Sequence, residues 1–327
     1  MNSSGAGRIY FNTDTLPERD RFPAFCEEFV RRRTALDIVR RGEGPFRGVM
    51  DLLRAGPVVV GSHFSTPTDL VRSPQLVRDG DDSLLVALCR SGVAYLVQLG
   101  ADVKLEPGSA FVCDSGYAGK VHIIADTWLS LVRIPRITMT KLLPRANRLA
   151  GAMLDRNNVA RRLLFGYLGG TLDVVSDGHG RAIELYGEHV IDLVALALGA
   201  EGEGRAVAEE RGARAARRSA ILREIERCSS DPVLSAATVA ALLGITPRYV
   251  HLLIEETGKS FTHHVLERRL DKAAALLRDP CLRHRKIADI ATEAGFNDLS
   301  YFNRAFRRYY GATPSDIRDA ARALSWP

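Results

Sequence analysis

Two groups of side chains in the last third of the chain match the edges of DNA bases: Arg248, His251 and Leu252, then Ser300, Asn303 and Arg304. Arginine can donate two hydrogen bonds to guanine, asparagine pairs with adenine, serine serves either, and leucine can only touch a thymine methyl. Four further cations, Lys259, Lys286, Arg307 and Arg308, suit phosphates, which set register without carrying sequence. Each group has the spacing that collects side chains on one face of a helix. Chemistry of other kinds finds no footing. There is no Gly-rich phosphate loop, nucleophile elbow or zinc spacing.

The elements that must hold these residues are readable. Ser235 suits a helix N-cap, with Leu234 and Val239 as a hydrophobic staple. Val239, Ala240 and Leu243 form an inner stripe, Gly244 suits the left-handed exit, and Thr246-Pro247 restarts a helix. In that second helix Val250, Leu253 and Ile254 are expected inside and Arg248, His251, Leu252 and Glu255 outside. The pattern returns with Ile287, Ile290 and Ala291 as stripe, Gly295 as turn, Phe296 as plug and Asn297 as cap. Phe302, Ala305, Phe306 and Tyr309 are then expected inside, and Ser300, Asn303, Arg304 and Arg307 outside. These are two helix-turn-helix units. Between them one long helix, capped by Ser260 and stopped before Pro280, runs for about nineteen residues and roughly 28 Å. That is close to the ~34 Å between successive major-groove faces of B-DNA. Thr313 and Asp316 have capping-box spacing for a last helix.

Charge follows the same division. From Arg217 to Pro327 eighteen Lys/Arg face thirteen Asp/Glu, so nearly all of the net +6 sits at this end. Five cysteines, odd in number and without C-x-x-C pairs, argue for free thiols and a reducing compartment. The first residues lack the pattern of a secretory signal, and no run reaches the ~18 apolar residues of a membrane helix, so a cytoplasmic protein without membrane partners is expected. From about Gly44 to Pro135 short runs rich in Val, Ile, Leu and aromatics alternate with turn residues, as in an antiparallel sandwich or barrel. Phe22 to Arg41 reads as helical, with Phe22, Phe25, Cys26 and Phe29 on one face. Residues 137–199 have helical periodicity, including the segment 141–155, and must bury their stripe on the sheet or on a second subunit. Residues 199–212 read as a Gly-, Glu- and Arg-rich linker that turns helical near Ala213.

Residues from about Arg218 to Ala320, above all IADIATEAGFNDLSYFNRAFRRYYGATPSDIR, resemble the DNA-binding domain of the AraC/XylS transcription regulators. The resemblance implies that two helix-turn-helix units read adjacent major grooves with the outward residues named above. It departs from the family at Leu252, where a basic or polar residue is usual. Residues before it resemble, less specifically, the cupin-like barrel and dimerisation helices that many members carry. The fold implied is α+β and multidomain. A sensor of residues 1–198, β-rich over about 44–136 with a helical dimerisation segment over about 137–198, precedes a linker at 199–212. A DNA-binding domain at 213–322 follows, with its units at about 235–258 and 286–310. The function implied is sequence-specific regulation, as an activator controlled by a small-molecule effector, with duplex DNA, RNA polymerase and a second copy of the chain as partners. No cofactor, metal or catalytic residue is expected. Two alternatives are an effector-independent dimeric regulator and a cupin-type metal enzyme, for which the β region offers only His63 and His122.

Overall fold

The computed structural model describes residues 7–31, 35–140, 142–143, 149–176, 180–282 and 284–324. It divides into two compact units, residues 1–216 and 217–327.

In the first unit alternating apolar strands build two antiparallel sheets. The seven-stranded sheet contains β1 (Arg8–Asn12), β3 (Gly48–Ala55), β4 (Val58–Ser65), β11 (Thr127–Ile134), β6 (Leu84–Ser91), β9 (Ala110–Asp114) and β12 (Met153–Leu154), neighbours in that order. The five-stranded sheet runs β2 (Asp37–Arg40), β5 (Thr68–Arg72), β10 (Gly119–Ile123), β7 (Ala94–Gln98) and β8 (Ala101–Leu105). Among the described residues no strand of one sheet pairs with a strand of the other, so the expected barrel is an open sandwich. A shared core of Ala87, Cys89, Leu96, Leu105, Phe111, Ile123 and Leu129 holds the two sheets together. Helix α1 (Glu18–Arg31) closes one side, Phe25 being buried against Phe46 with ring centroids 5.0 Å apart. It is shorter at its C-terminal end than Phe22 to Arg41 suggests. Residues 37–40 instead form β2, because Ile38 and Val39 gain a ladder with β5 that outweighs local preference.

The short α2 (Arg136–Met139) precedes a region where residues 141 and 144–148 lie outside the described ones. The expected helix at 141–155 gives way, in its described part, to strand β12 paired with β9. The pair α3 (Val159–Ser176) and α4 (Gly180–Ala197) buries Leu164, Leu168, Tyr186, Val190 and Val194 on the seven-stranded sheet, against Leu53, Val60, Val86 and Val132. Segment 199–212, expected as a linker, is helical too: α5 (Gly202–Ala208) leads through a π-turn at Glu209–Ala213 into α6 (Arg214–Cys228). Its Glu and Arg residues are good helix formers. Arg211 ties it to α4 through the fully buried carboxylate of Asp192 at 2.6 Å.

The second unit is all helical. After α6 come α7 (Ala236–Leu243), α8 (Pro247–Glu255), α9 (Phe261–Arg278), α10 (Ile287–Glu293), α11 (Leu299–Tyr310) and α12 (Pro314–Leu324). Ser235 and Thr238 close a capping box, Thr246 and Ser260 cap α8 and α9, and Gly244 leaves α7 at φ +64°. Asp298, not Asn297, caps α11, accepting from the Tyr301 N–H at 2.9 Å; a carboxylate is favoured there by the helix dipole as well. Thr313 and Asp316 exchange the expected hydrogen bonds at the start of α12. Among the described residues no single helix is long and apolar enough to cross a membrane.

Two features of this fold can be tested by substitution. The Asp69 side chain on β5 is almost fully buried, between Arg41 at 2.6 Å, Lys120 at 2.8 Å and the His122 ring. Burial disfavours its charge, but these three hydrogen bonds outweigh burial and hold the carboxyl at about 2, below an ordinary 3.8. Stability from this cluster is therefore present above pH ~4 and lost as the pH falls through about 2. Asp69→Asn is expected to lower the melting temperature at neutral pH and to flatten its acid dependence in that window; an unchanged acid profile would refute the assignment. In the second unit Gly295 has φ +99°, and a Cβ there would lie 2.9 Å from Arg269 Nε and from the Ser230 backbone. Gly295→Ala should cost about 1–3 kcal/mol in denaturant unfolding followed by helical circular dichroism. Wild-type stability in that variant would show the turn to be less constrained.

Candidate nucleic-acid interface and β-domain cavity

Each helix-turn-helix unit has its own core, and both cores are built on α9. Val239, Ala240, Val250, Leu253 and Ile254 pack with Phe261 and Val265 from the first half of α9. Ile290, Ala291, Phe296, Phe302 and Phe306 pack with Leu270, Ala273, Ala274 and Leu277 from its second half. Inner and outer faces of both recognition helices follow.

Arg248, His251, Leu252 and Glu255 are exposed on α8, and Ser300, Asn303, Arg304 and Arg307 are among the exposed residues of α11, which also leaves Leu299, Tyr301, Arg308 and Tyr309 in water. Both sets of four fall at positions i, i+3, i+4 and i+7, so each is one stripe along its helix. Superposing the stripes sets Arg248 with Ser300, His251 with Asn303, Leu252 with Arg304 and Glu255 with Arg307. The two faces thus differ in chemistry. The second offers a hydroxyl, an amide and two guanidinium groups, whereas the first places an apolar and an acidic side chain in the matching third and fourth places. Leu252 is 47% exposed, a considerable apolar surface left in water on an otherwise polar face. Tyr309 departs from expectation. It is 45% exposed, because Tyr310 takes the inner place, stacking near Phe306 and donating its hydroxyl to Asp271 on α9 at 2.8 Å.

The phosphate candidates separate in the same way. Lys286 stands exposed at the N-cap of α10, and Arg308 is exposed in the last turn of α11; neither makes an ion pair with another described residue. Asp316 is held below the usual carboxylate range first by its Thr313 hydrogen bonds and only last by the charge of Arg307, which makes no close pair with it. Lys259, by contrast, is held by both oxygens of Glu267 at 2.8 and 2.9 Å. That carboxylate, kept below its usual range first by the Lys259 hydrogen bond, already neutralises the lysine.

In the first unit a cavity of about 430 Å³ opens between the two sheets, a size common for small-ligand sites. Sequence reading could not name its walls, since lining depends on strand register. The register makes them plain. Across β3, β4 and β11 one row on the inner face is Met50, His63 and Leu129, and another is Arg54, Val59 and Arg133. In the row between them, Leu52 and Leu131 flank Gly61, which contributes no side chain. Apart from His63, Arg54 and Arg133 every lining residue is apolar. His63 is 4% exposed and its Nε2 has no hydrogen-bond partner. Burial lowers its pKa to about 4, so the ring is neutral at physiological pH. His122 sits elsewhere, against Asp69. Among the described residues no three His, Cys, Asp or Glu side chains converge as a metal site would need.

These two features are matched by known proteins. Residues 239–320 fit the model of a helix-turn-helix domain, and residues 25–199 that of an AraC-binding-like domain. The transcriptional activator RhrA of Rhizobium meliloti (strain 1021) is 39% identical over 107 residues, 33% of this chain and 34% of that protein. The transcriptional activator NphR of a Rhodococcus species is 28% identical over 255 residues, 76% of this chain and 74% of that protein. The chain therefore spans about a third of one relative and about three-quarters of the other. The crystal structure of the AraC-like transcriptional activator CuxR shares the fold, with a TM-score of 0.51 and 17% identity over 88% of this chain and 99% of that one. Since the AraC-binding-like match alone takes in more than half of the residues and the DNA-binding domain follows it in order, the chain belongs to the AraC family of transcription regulators.

Proposed function

We propose that the protein activates transcription by laying α8 and α11 into successive major-groove segments of its operator, under control of a small molecule held between the two sheets. The observation that carries the DNA half is the pair of matched outward stripes built on one helix. Eighteen residues of α9 span about 27 Å, close to the ~34 Å groove repeat. Ser300, Asn303 and Arg304 are the principal base readers. Arg248 and His251 carry the hydrogen bonding of the first unit, and Leu252 reads a thymine methyl by contact. Arg307, Arg308 and Lys286 bind phosphates. Lys259 contributes less, because contact with DNA would cost it Glu267. The activator assignment rests on the relatives, RhrA and NphR, each of which is described as a transcriptional activator; contact with RNA polymerase is the further step that activation would require. A homodimer completes the reading. The α3–α4 pair, although covered on its sheet side, leaves Val159 and Leu185 exposed on the other.

The largely apolar cavity favours effector control over a β domain that only dimerises, for which no hollow is required. For a cupin-type metal enzyme no observation speaks: His63 lines the cavity while His122 pairs with Asp69, and among the described residues neither belongs to a group of three possible ligands.

Arg304→Ala is expected to cost about 1–3 kcal/mol on the operator and to relax base preference at one position, as read by competition binding. Arg308→Ala should instead weaken all duplexes alike and lower the salt slope by about one, with Lys259→Ala lowering it less. If Arg304→Ala weakened random and operator DNA equally, α11 would not be the reading helix. Replacing single operator thymines by deoxyuridine removes only a methyl. One such replacement should weaken wild-type binding but leave Leu252→Ala unaffected; equal responses of the two proteins at every thymine would remove Leu252 from the readout.

A further inference from the structure

We infer that the cavity between the sheets takes an elongated, mostly apolar organic acid, its carboxylate on Arg54 and a hydroxyl at its far end on His63. The inference deepens the effector reading above and rests on it. Three properties of the cavity lead there.

The walls are apolar except at two ends. His63 and Val59 lie four residues apart on β4, which separates their rows by about 13 Å along the strand. Any occupant is therefore in contact with hydrocarbon for most of its length and can meet polar groups only at its tips.

The ends differ in charge. Arg54 and Arg133 flank Val59 from the two neighbouring strands, which puts their backbones about 10 Å apart on one face. Arg133 is already matched by Asp81, and Asp81 is kept ionised despite its burial by hydrogen bonds from Ser83 and by Arg133 itself. Arg54 makes no ion pair with any described residue and is exposed at the opening. One uncompensated guanidinium next to an apolar wall favours an anion, and its planar fork suits a carboxylate in particular.

His63 sets the other tip. The ring makes no hydrogen bond to another described residue, and a ring nitrogen left unpaired at an apolar wall is destabilising until something pairs with it. The ring is held from two sides, stacked on Phe25 at 5.7 Å and met edge-on by Phe29 at 5.8 Å, so it cannot turn away to find water. Nε2 is enclosed by protein, so the nitrogen left to an occupant is Nδ1, which in the neutral ring is a donor in one tautomer and an acceptor in the other. A hydroxyl satisfies both, since it can donate and accept.

Calorimetric titration of the full-length protein with para-hydroxycinnamate, cinnamate and para-hydroxycinnamamide separates these contributions. The hydroxy acid is expected to bind about tenfold or more tightly than its amide and more tightly than cinnamate. Arg54→Gln, at an exposed position that should not disturb folding, should abolish the preference for acid over amide. His63→Phe should abolish the preference for the hydroxylated acid, and Val59→Trp should block all three. Melting curves of each variant confirm that it is folded. An amide bound as tightly as the acid, or a preference that survives Arg54→Gln, overturns the acid class; if that binding is still lost in Val59→Trp, the cavity remains the effector site. Absence of binding by all three probes at millimolar concentration, or binding that persists in Val59→Trp, overturns both.

Discussion

Helix α9 is a single rigid element buried in two separate cores, and the DNA-binding half of the molecule depends on that. Phe261 and Val265 complete the core of the first helix-turn-helix unit, while Leu270, Ala273, Ala274 and Leu277 complete the second. A short helix-turn-helix cannot bury enough apolar surface alone, so each unit is stable only against its half of α9. Spacing and stability are thereby one property. The distance between α8 and α11 cannot change without breaking the continuous hydrogen-bonded ladder of α9 or emptying a core. Side chains such as Arg269, which donates to the Ser229 and Asp231 carbonyls, and Tyr310, which donates to Asp271, fasten neighbouring segments to the same helix.

The β domain uses the opposite arrangement. Its seven-stranded sheet buries one face under α3 and α4, and its other face meets the five-stranded sheet only in part. Where the sheets meet, Phe111, Leu96, Leu105 and Ile123 fill the space. Where they part, the inner face keeps its apolar character without being filled, and three polar groups stand at the edges of the hollow. A core left open in this way forfeits dispersion contacts and leaves the His63 ring nitrogen unpaired. A complementary molecule in the hollow would restore the missing dispersion contacts, the physical basis for the proposed effector control.

Much of the DNA-binding unit was legible because its signals are local. Ser235, Thr246 and Ser260 cap helices, Gly244 and Gly295 turn the chain, and Pro280 ends α9, each by chemistry within a few residues. One miss was local, Asp298 taking the cap in place of Asn297. The others came where tertiary contacts decided: Tyr310 took the inner place expected of Tyr309 because Asp271 lies within its reach. Residues 37–40 joined a sheet, and 202–213 formed helix against α4 through Arg211 and Asp192, a partner nineteen residues away. The cavity was not legible at all. Strand alternation gives each of β3, β4 and β11 an inner face, but only their mutual register puts Arg54 and Arg133 either side of Val59 and His63 two rows away.

On the proposed reading one DNA-binding domain engages two successive groove segments at a spacing fixed by α9. Hydroxyl-radical footprinting on operators with base pairs inserted between the two recognition elements tests it most directly. The expected result is two protected patches about ten base pairs apart on one face of the duplex. Insertion of half a turn should erase protection of one patch while leaving the other. Two patches that persist at any separation, or a single patch on the native operator, would contradict it.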